Sequence, residues 1–266
     1  MTTNNEEKSL PRPLIALHVV SKMLAFGIFG LCSIFISIVF FPIFLIIFHP
    51  HQRFQRACRR FLHFGLILFR WLIKIMRVAD IEISREDKKR LSGLSSCIVA
   101  ANHPSMIDSI LLISLLPCTD FIVKGSLSRK SVLSAIVNLV FIPNSMDFGA
   151  IIERTNENFA HGGTLALFPE GTRSLLTGQN KFKKGAARIS LSQNAPIVPV
   201  YIGGNDKVGF RKGEKPWSVN PSGAYRYVFR VHEPIHPDEF KNLPEPIAAK
   251  RYTAKLRQIL ADENNR

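Results

Sequence analysis

The chain is poor in acid, poor in paired cysteine, and lacks the signatures that depend on either. Only 20 Asp and Glu stand against 35 Lys and Arg, a net charge of +15 over 266 residues. The partner is therefore anionic: a nucleic acid, a phosphorylated substrate or an acidic lipid surface. Cys32, Cys58, Cys97 and Cys118 are widely spaced and make no CxxC, so they read as reduced core thiols in a reducing compartment. The eight His do not gather with Cys or carboxylates at ligand spacing, and no metal site is expected. No Gly-x-Ser-x-Gly elbow occurs, which removes the serine-hydrolase reading of His161-Gly162-Gly163 and leaves those glycines as a turn before a strand. With 46% hydrophobic and 21% charged residues, 20 of them Phe, the chain is too apolar to be disordered.

Charge is missing altogether from the 26 residues Met23 to Phe48. As helix they would extend about 39 Å at ~1.5 Å per residue, enough for a bilayer core of roughly 30 Å. Pro42 should kink or end a helix there, so a span and a re-entrant hairpin both fit. The run is too long for a signal peptide, and no small-residue cleavage pattern follows. A basic collar comes next, His51, Arg53, Arg56, Arg59 and Arg60, then Phe61 to Met76 with Arg70 and Lys74 as its only charges. Such a collar is attracted to an anionic cytoplasmic leaflet. Residues 1–78, net +8, are therefore expected to be membrane-associated helices, and 79–266, net +7, a separate α/β unit facing the cytoplasm from an inner or plasma membrane. Beside a membrane-sized apolar run, without zinc spacing or a basic recognition helix, the positive charge does not indicate nucleic acid.

Beyond Ala79 short apolar runs alternate with helical patterns. Strands are expected at 81–84, 97–101, 121–124, 165–168, 197–202 and 225–231, and helices near 107–116, 126–139, 151–160, 184–193 and 246–261. The alternation predicts an α/β fold with a largely parallel sheet flanked by helices, behind an N-terminal hydrophobic helical segment. Residues 203–223, rich in Gly and Pro, read as an irregular loop.

The carboxyl ends of parallel strands are where ligands bind. The 97–101 strand runs into Asn102-His103-Pro104-Ser105-Met106-Ile107-Asp108. Pro104 suits a first helical turn, leaving His103 on the preceding loop, where its ring can fold back onto Asp108 as a positioned general base. The plain alternative is a loop His followed by a carboxylate that favours the helix dipole. The 165–168 strand delivers Pro169-Glu170-Gly171-Thr172-Arg173-Ser174 to the same edge: Gly171 permits close approach and Arg173 offers a fork of donors for phosphate.

In order and spacing these blocks resemble the glycerolipid acyltransferases typified by 1-acylglycerol-3-phosphate acyltransferase. Asn102, His103, Ser105 and Asp108 match the first motif, Phe168 to Ser174 the Phe-Pro-Glu-Gly-Thr-Arg-Ser block, Phe182 to Gly185 the Phe-Lys-Lys-Gly pattern, and Val198 to Val200 a Val-Pro-Val block. Lys124 resembles the lysine the family points at phosphate. The second block departs, with Asn144 where the family has Arg; Arg154 is a weak substitute that reads as a surface Arg.

The resemblance implies a membrane-bound acyltransferase. His103, held by Asp108, takes the proton of an acceptor hydroxyl that attacks an acyl-CoA or acyl carrier protein thioester, with no further cofactor. Asn102, Ser105, Lys124, Asn144, Glu170, Gly171, Thr172 and Arg173 would form the substrate site, and backbone amides after His103 the oxyanion site. The implied acceptor is 1-acyl-sn-glycerol 3-phosphate; another lipid acceptor, or a non-catalytic membrane scaffold, is the alternative.

Overall fold

The computed structural model describes residues 10–40, 43, 46–47, 51–126, 141–174, 180–204, 210–215, 217–220 and 223–264. Its centre is a seven-stranded sheet of β1 (Ala79–Ile83), β2 (Ile98–Ala101), β3 (Thr119–Val123), β4 (Ile142–Pro143), β5 (Thr164–Leu167), β6 (Ile197–Gly203) and β7 (Tyr225–Val231). The spatial order is β1-β7-β6-β2-β5-β3-β4. Every pairing is parallel except β6 with β7, so the expected α/β fold with a largely parallel sheet is present. Central β2 is buried on both faces. Period-2 alternation sends Val99 and Ala101 into one apolar layer and Ile98 and Ala100 into the other.

Among the described residues seven α-helices flank the sheet: α1 (Arg12–Phe35), α2 (His51–Ile75), α3 (Arg85–Ser92), α4 (Asp108–Ile113), α5 (Phe148–Phe159), α6 (Gly185–Gln193) and α7 (Glu245–Asn264). The expected helix at 126–139 lies outside the described residues, as do Pro42 and part of the 203–223 segment. Apart from Gly203, which ends β6, the described residues of that segment contain neither helix nor strand.

The apolar N-terminal helix begins at Arg12, with Pro13 in its first turn, well before the uncharged run. It passes into a π-helical turn at Ile36–Phe40, and the 29 residues Arg12–Phe40 are long and apolar enough to cross a membrane. One face of α1 carries buried His18, Lys22 and Ala25, while Leu17, Val20, Leu24, Ile28 and Leu31 are exposed. Helix α2 is likewise two-sided. Leu66, Phe69 and Ile73 join the core layer that holds Val99, Phe121 and Phe229, whereas Phe64, Leu68, Trp71 and Ile75 form an exposed stripe at helical spacing.

One residue of the expected basic collar turns inward. Arg59 is 5% exposed and forks onto Asp120 at the start of β3, with Nε and Nη2 at 2.7 and 2.9 Å from the two carboxylate oxygens. It is thus withdrawn from any lipid headgroup, while Arg60 is exposed. Arg154 on α5 belongs to the same cluster: burial lowers its proton affinity, and the Asp120 charge opposes that. It is therefore neither a surface group nor a neighbour of the strand carboxyl ends, and cannot stand in for a residue there.

Candidate active site

The site is built at the carboxyl ends of β2, β3 and β5. The segment after β2 makes a turn at Ser105-Met106-Ile107, so α4 starts at Asp108, one residue from the expected start at 107, and Pro104 lies before that turn and not in a first helical turn. Ser105 is the reason. Its amide donates to Asp108 Oδ2 at 2.6 Å and its hydroxyl to Oδ1 at 2.6 Å, closing a side-chain turn that a helix through Pro104 would break.

The His103 ring folds back over this turn. Nδ1 lies 2.9 Å from Asp108 Oδ2, and one face of the imidazole stacks on Phe168 with centroids 4.0 Å apart and planes 3° from parallel. Asp108 is fully buried. Burial pushes its carboxyl above the ordinary range, opposed by the bonds and charge of His103 and by the two Ser105 donors. A carboxylate acceptor at Nδ1 fixes the tautomer and leaves Nε2 as the basic nitrogen.

Of the backbone amides after His103, the three that precede the helix are already engaged. The Ser105 amide is held by Asp108, the Met106 amide donates to the Phe210 carbonyl at 3.0 Å, and the Ile107 amide to Ser105 Oγ at 3.3 Å. Polar groups buried in a turn satisfy one another, so these amides are structural.

A cavity of about 610 Å³ opens beside the imidazole. Among the residues lining it are His103, Lys124, Asn144, Gly171, Thr172, Arg173 and Lys183, with Phe121, Phe148, Ile151 and Leu167 supplying apolar wall. Three cations thus share one pocket with the His ring. Gly171 has φ +65°, and a Cβ there would fall 2.8 Å from Lys183 Nζ, so only glycine lets the lysine lie across the loop. Arg173 Nη1 donates to the Phe210 carbonyl at 3.1 Å. Asn144 Oδ1 accepts from the Gly125 amide at 3.0 Å, bracing the turn that carries Lys124.

The other expected site residues stand behind the pocket. Glu170 is 4% exposed; it accepts from the His103 amide at 3.0 Å, Ser174 Oγ at 2.8 Å and Asn180 Nδ2 at 2.7 Å, tying the loop after β5 to the one after β2. Asn102 exchanges two hydrogen bonds with the Ile202 backbone, 2.7 and 2.6 Å, and so clasps β2 to the end of β6. Sequence reasoning missed Phe168 as the platform for the imidazole, Lys183 as a pocket cation and Phe210 as an acceptor. The first two lie inside the motif blocks already noted, while Phe210 has no sequence signal.

A histidine held by a carboxylate, beside a pocket with apolar wall and three cations, has the make-up of an enzyme's active site with room for an amphiphilic anion. Residues 77–203 match the model of the Acyltransferase family. This part of the chain is an acyltransferase domain, as the resemblance to the glycerolipid acyltransferases implies, and the protein is an acyltransferase. It is 26% identical over 223 residues to a probable 1-acyl-sn-glycerol-3-phosphate acyltransferase of Mycoplasma pneumoniae, covering 80% of this chain and 79% of that one. It is 29% identical over 243 residues to a chloroplastic 1-acyl-sn-glycerol-3-phosphate acyltransferase of Brassica napus, covering 86% and 65%. The crystal structure of the 1-acyl-sn-glycerophosphate acyltransferase of Thermotoga maritima shares the fold, with a TM-score of 0.64 at 19% identity over 94% of this chain and 96% of that one.

Proposed function

We propose that the protein transfers a fatty acyl group from an acyl-CoA or acyl carrier protein thioester to the free hydroxyl of 1-acyl-sn-glycerol 3-phosphate, giving phosphatidic acid. The observation that carries this is the shared cavity: a His ring locked on two sides, and Lys124, Arg173 and Lys183 as phosphate ligands. His103 Nε2 takes the hydroxyl proton, the oxygen attacks the thioester carbonyl, and the imidazolium returns the proton to the departing thiolate. Asp108 stabilises the imidazolium throughout. Asn102 and Glu170 act by holding the loops, while Thr172 and Gly171 shape the phosphate end. The names of the relatives support the acceptor class.

Residues 1–78 serve as the membrane-associated part and 79–266 as the catalytic part, which faces the cytoplasm, where thioesters are made. The outer faces of α1 and α2 support this, since a lipid phase would cover Leu24, Leu31, Leu68 and Trp71. The purified protein in phosphatidylcholine vesicles, given acyl-CoA or acyl carrier protein thioesters and a series of lyso-acceptors, tests the reading. Product formed from lysophosphatidic acid is expected; acylation confined to an uncharged acceptor would replace it with the other lipid-acceptor reading.

A further inference from the structure

We infer that Phe210 is a positioning residue through which the seating of α1 governs both catalytic loops. This inference rests on the roles proposed above for His103 and Arg173.

The Phe210 carbonyl accepts two hydrogen bonds, from Arg173 Nη1 at 3.1 Å and from the Met106 amide at 3.0 Å. One donor comes from the loop after β5, the other from the turn between His103 and Asp108. A carbonyl has two lone pairs, and here each orients a different part of the site. Moving this one oxygen would shift the phosphate cation and the general base together.

What fixes the oxygen lies on the N-terminal helix. The Phe210 ring is 7% exposed; it packs against Phe26 of α1 at 5.1 Å and Tyr225 of β7 at 5.5 Å, with Lys22 Nζ 4.0 Å from its centroid. Lys22 is itself 2% exposed and donates to the Ser218 carbonyl. A lysine drawn out of water is tolerated only while such partners hold it, so the contact is specific to one seating of the helix. The opposite face of α1 is bare and apolar, and a lipid surface is what would hold the helix there. Occupancy of the membrane is thereby transmitted, through Lys22 and Phe26, to Arg173 and the His103 turn.

The test uses the full chain in phosphatidylcholine vesicles, with apparent KM for lysophosphatidic acid and kcat measured for Phe210→Ala, Phe210→Leu, Phe210→Tyr, Phe26→Ala, Lys22→Ala and Arg173→Ala. Phe210→Ala should raise KM roughly tenfold, as loss of one charge-assisted bond does, and also lower kcat; Phe210→Tyr should restore both. Phe26→Ala and Lys22→Ala, which touch no pocket residue, should show the same paired shift to a smaller extent. If Phe210→Ala does not fold, Phe210→Leu with Phe26→Ala carries the comparison. A fall in kcat with KM unchanged in these variants is loss of folded enzyme and overturns the inference, provided that Arg173→Ala raises KM. A silent Arg173→Ala would instead overturn the phosphate role on which the inference rests.

Discussion

The imidazole of His103 and the phenyl ring of Phe168 lie face to face, 4.0 Å apart and within 3° of parallel. Together with the Asp108 bond along its edge, this removes the two rotations by which the base could drift from its substrate. Phe168→Leu keeps apolar bulk and loses the flat platform. It should lower kcat by about tenfold or more, since small misplacements of a reacting group are costly, and leave the thermal midpoint within a few degrees of wild type. Steady-state kinetics beside a melting curve in detergent checks this.

His103→Ala should reduce turnover ~10²–10⁴-fold without unfolding the protein. Asp108→Asn differs, because Asp108 also receives the Ser105 amide and hydroxyl in a fully buried turn. An amide cannot accept all three donors, and a donor stranded there costs ~1–3 kcal/mol. The Asp108 variant should therefore lose both activity and stability, and the His103 variant activity alone, which denaturant titration of the two would separate.

Asn144→Arg brings a guanidinium into a pocket that already holds Lys124, Arg173 and Lys183, and it removes the acceptor for the Gly125 amide. The expected outcome is a lower KM for lysophosphatidic acid at nearly constant kcat, with about 1 kcal/mol less stability. An unchanged KM would mean that phosphate does not approach this corner.

Cys97 is 2% exposed, and burial raises its thiol from 9.0 to about 12, outweighing a backbone hydrogen bond from Ser95 that acts the other way. An upward shift diminishes the thiolate: at pH 8 its fraction falls roughly a thousandfold. Mass mapping after iodoacetamide treatment at pH 8 should find Cys97 intact in the native protein and modified once the chain is denatured.

Much of this was legible in the sequence because the parallel core writes itself in apolar runs. β7 was readable to the residue, since Tyr225, Tyr227, Phe229 and Val231 alternate with groups that face outward. Helix α3 was not: Arg85 to Ser92 contains one buried apolar residue, Leu91, and its start is signalled only by Ser84 accepting from the Asp87 amide. β4 is two residues long and holds a proline, which gives it no pattern of its own. In the site, His103 and Asp108 could be paired from spacing. The Phe210 carbonyl could not, because a backbone oxygen carries no residue identity and its donors lie far away along the chain.

The Arg59–Asp120 fork also decides how the molecule can be cut. Trimming at residue 78, the obvious way to shed the oily helices, would break the buried fork that Arg59 makes on Asp120 in β3 and leave Arg154 as the cation facing that carboxylate, and the breaking of a buried pair is destabilising. It would also strip Leu66, Phe69 and Ile73 from one face of the sheet. The shortened polypeptide would exchange the bare faces of two helices for an uncovered face of its own sheet. For handling in solution, the better course is to keep the helices and replace the outward residues Leu68, Trp71 and Ile75 with polar ones.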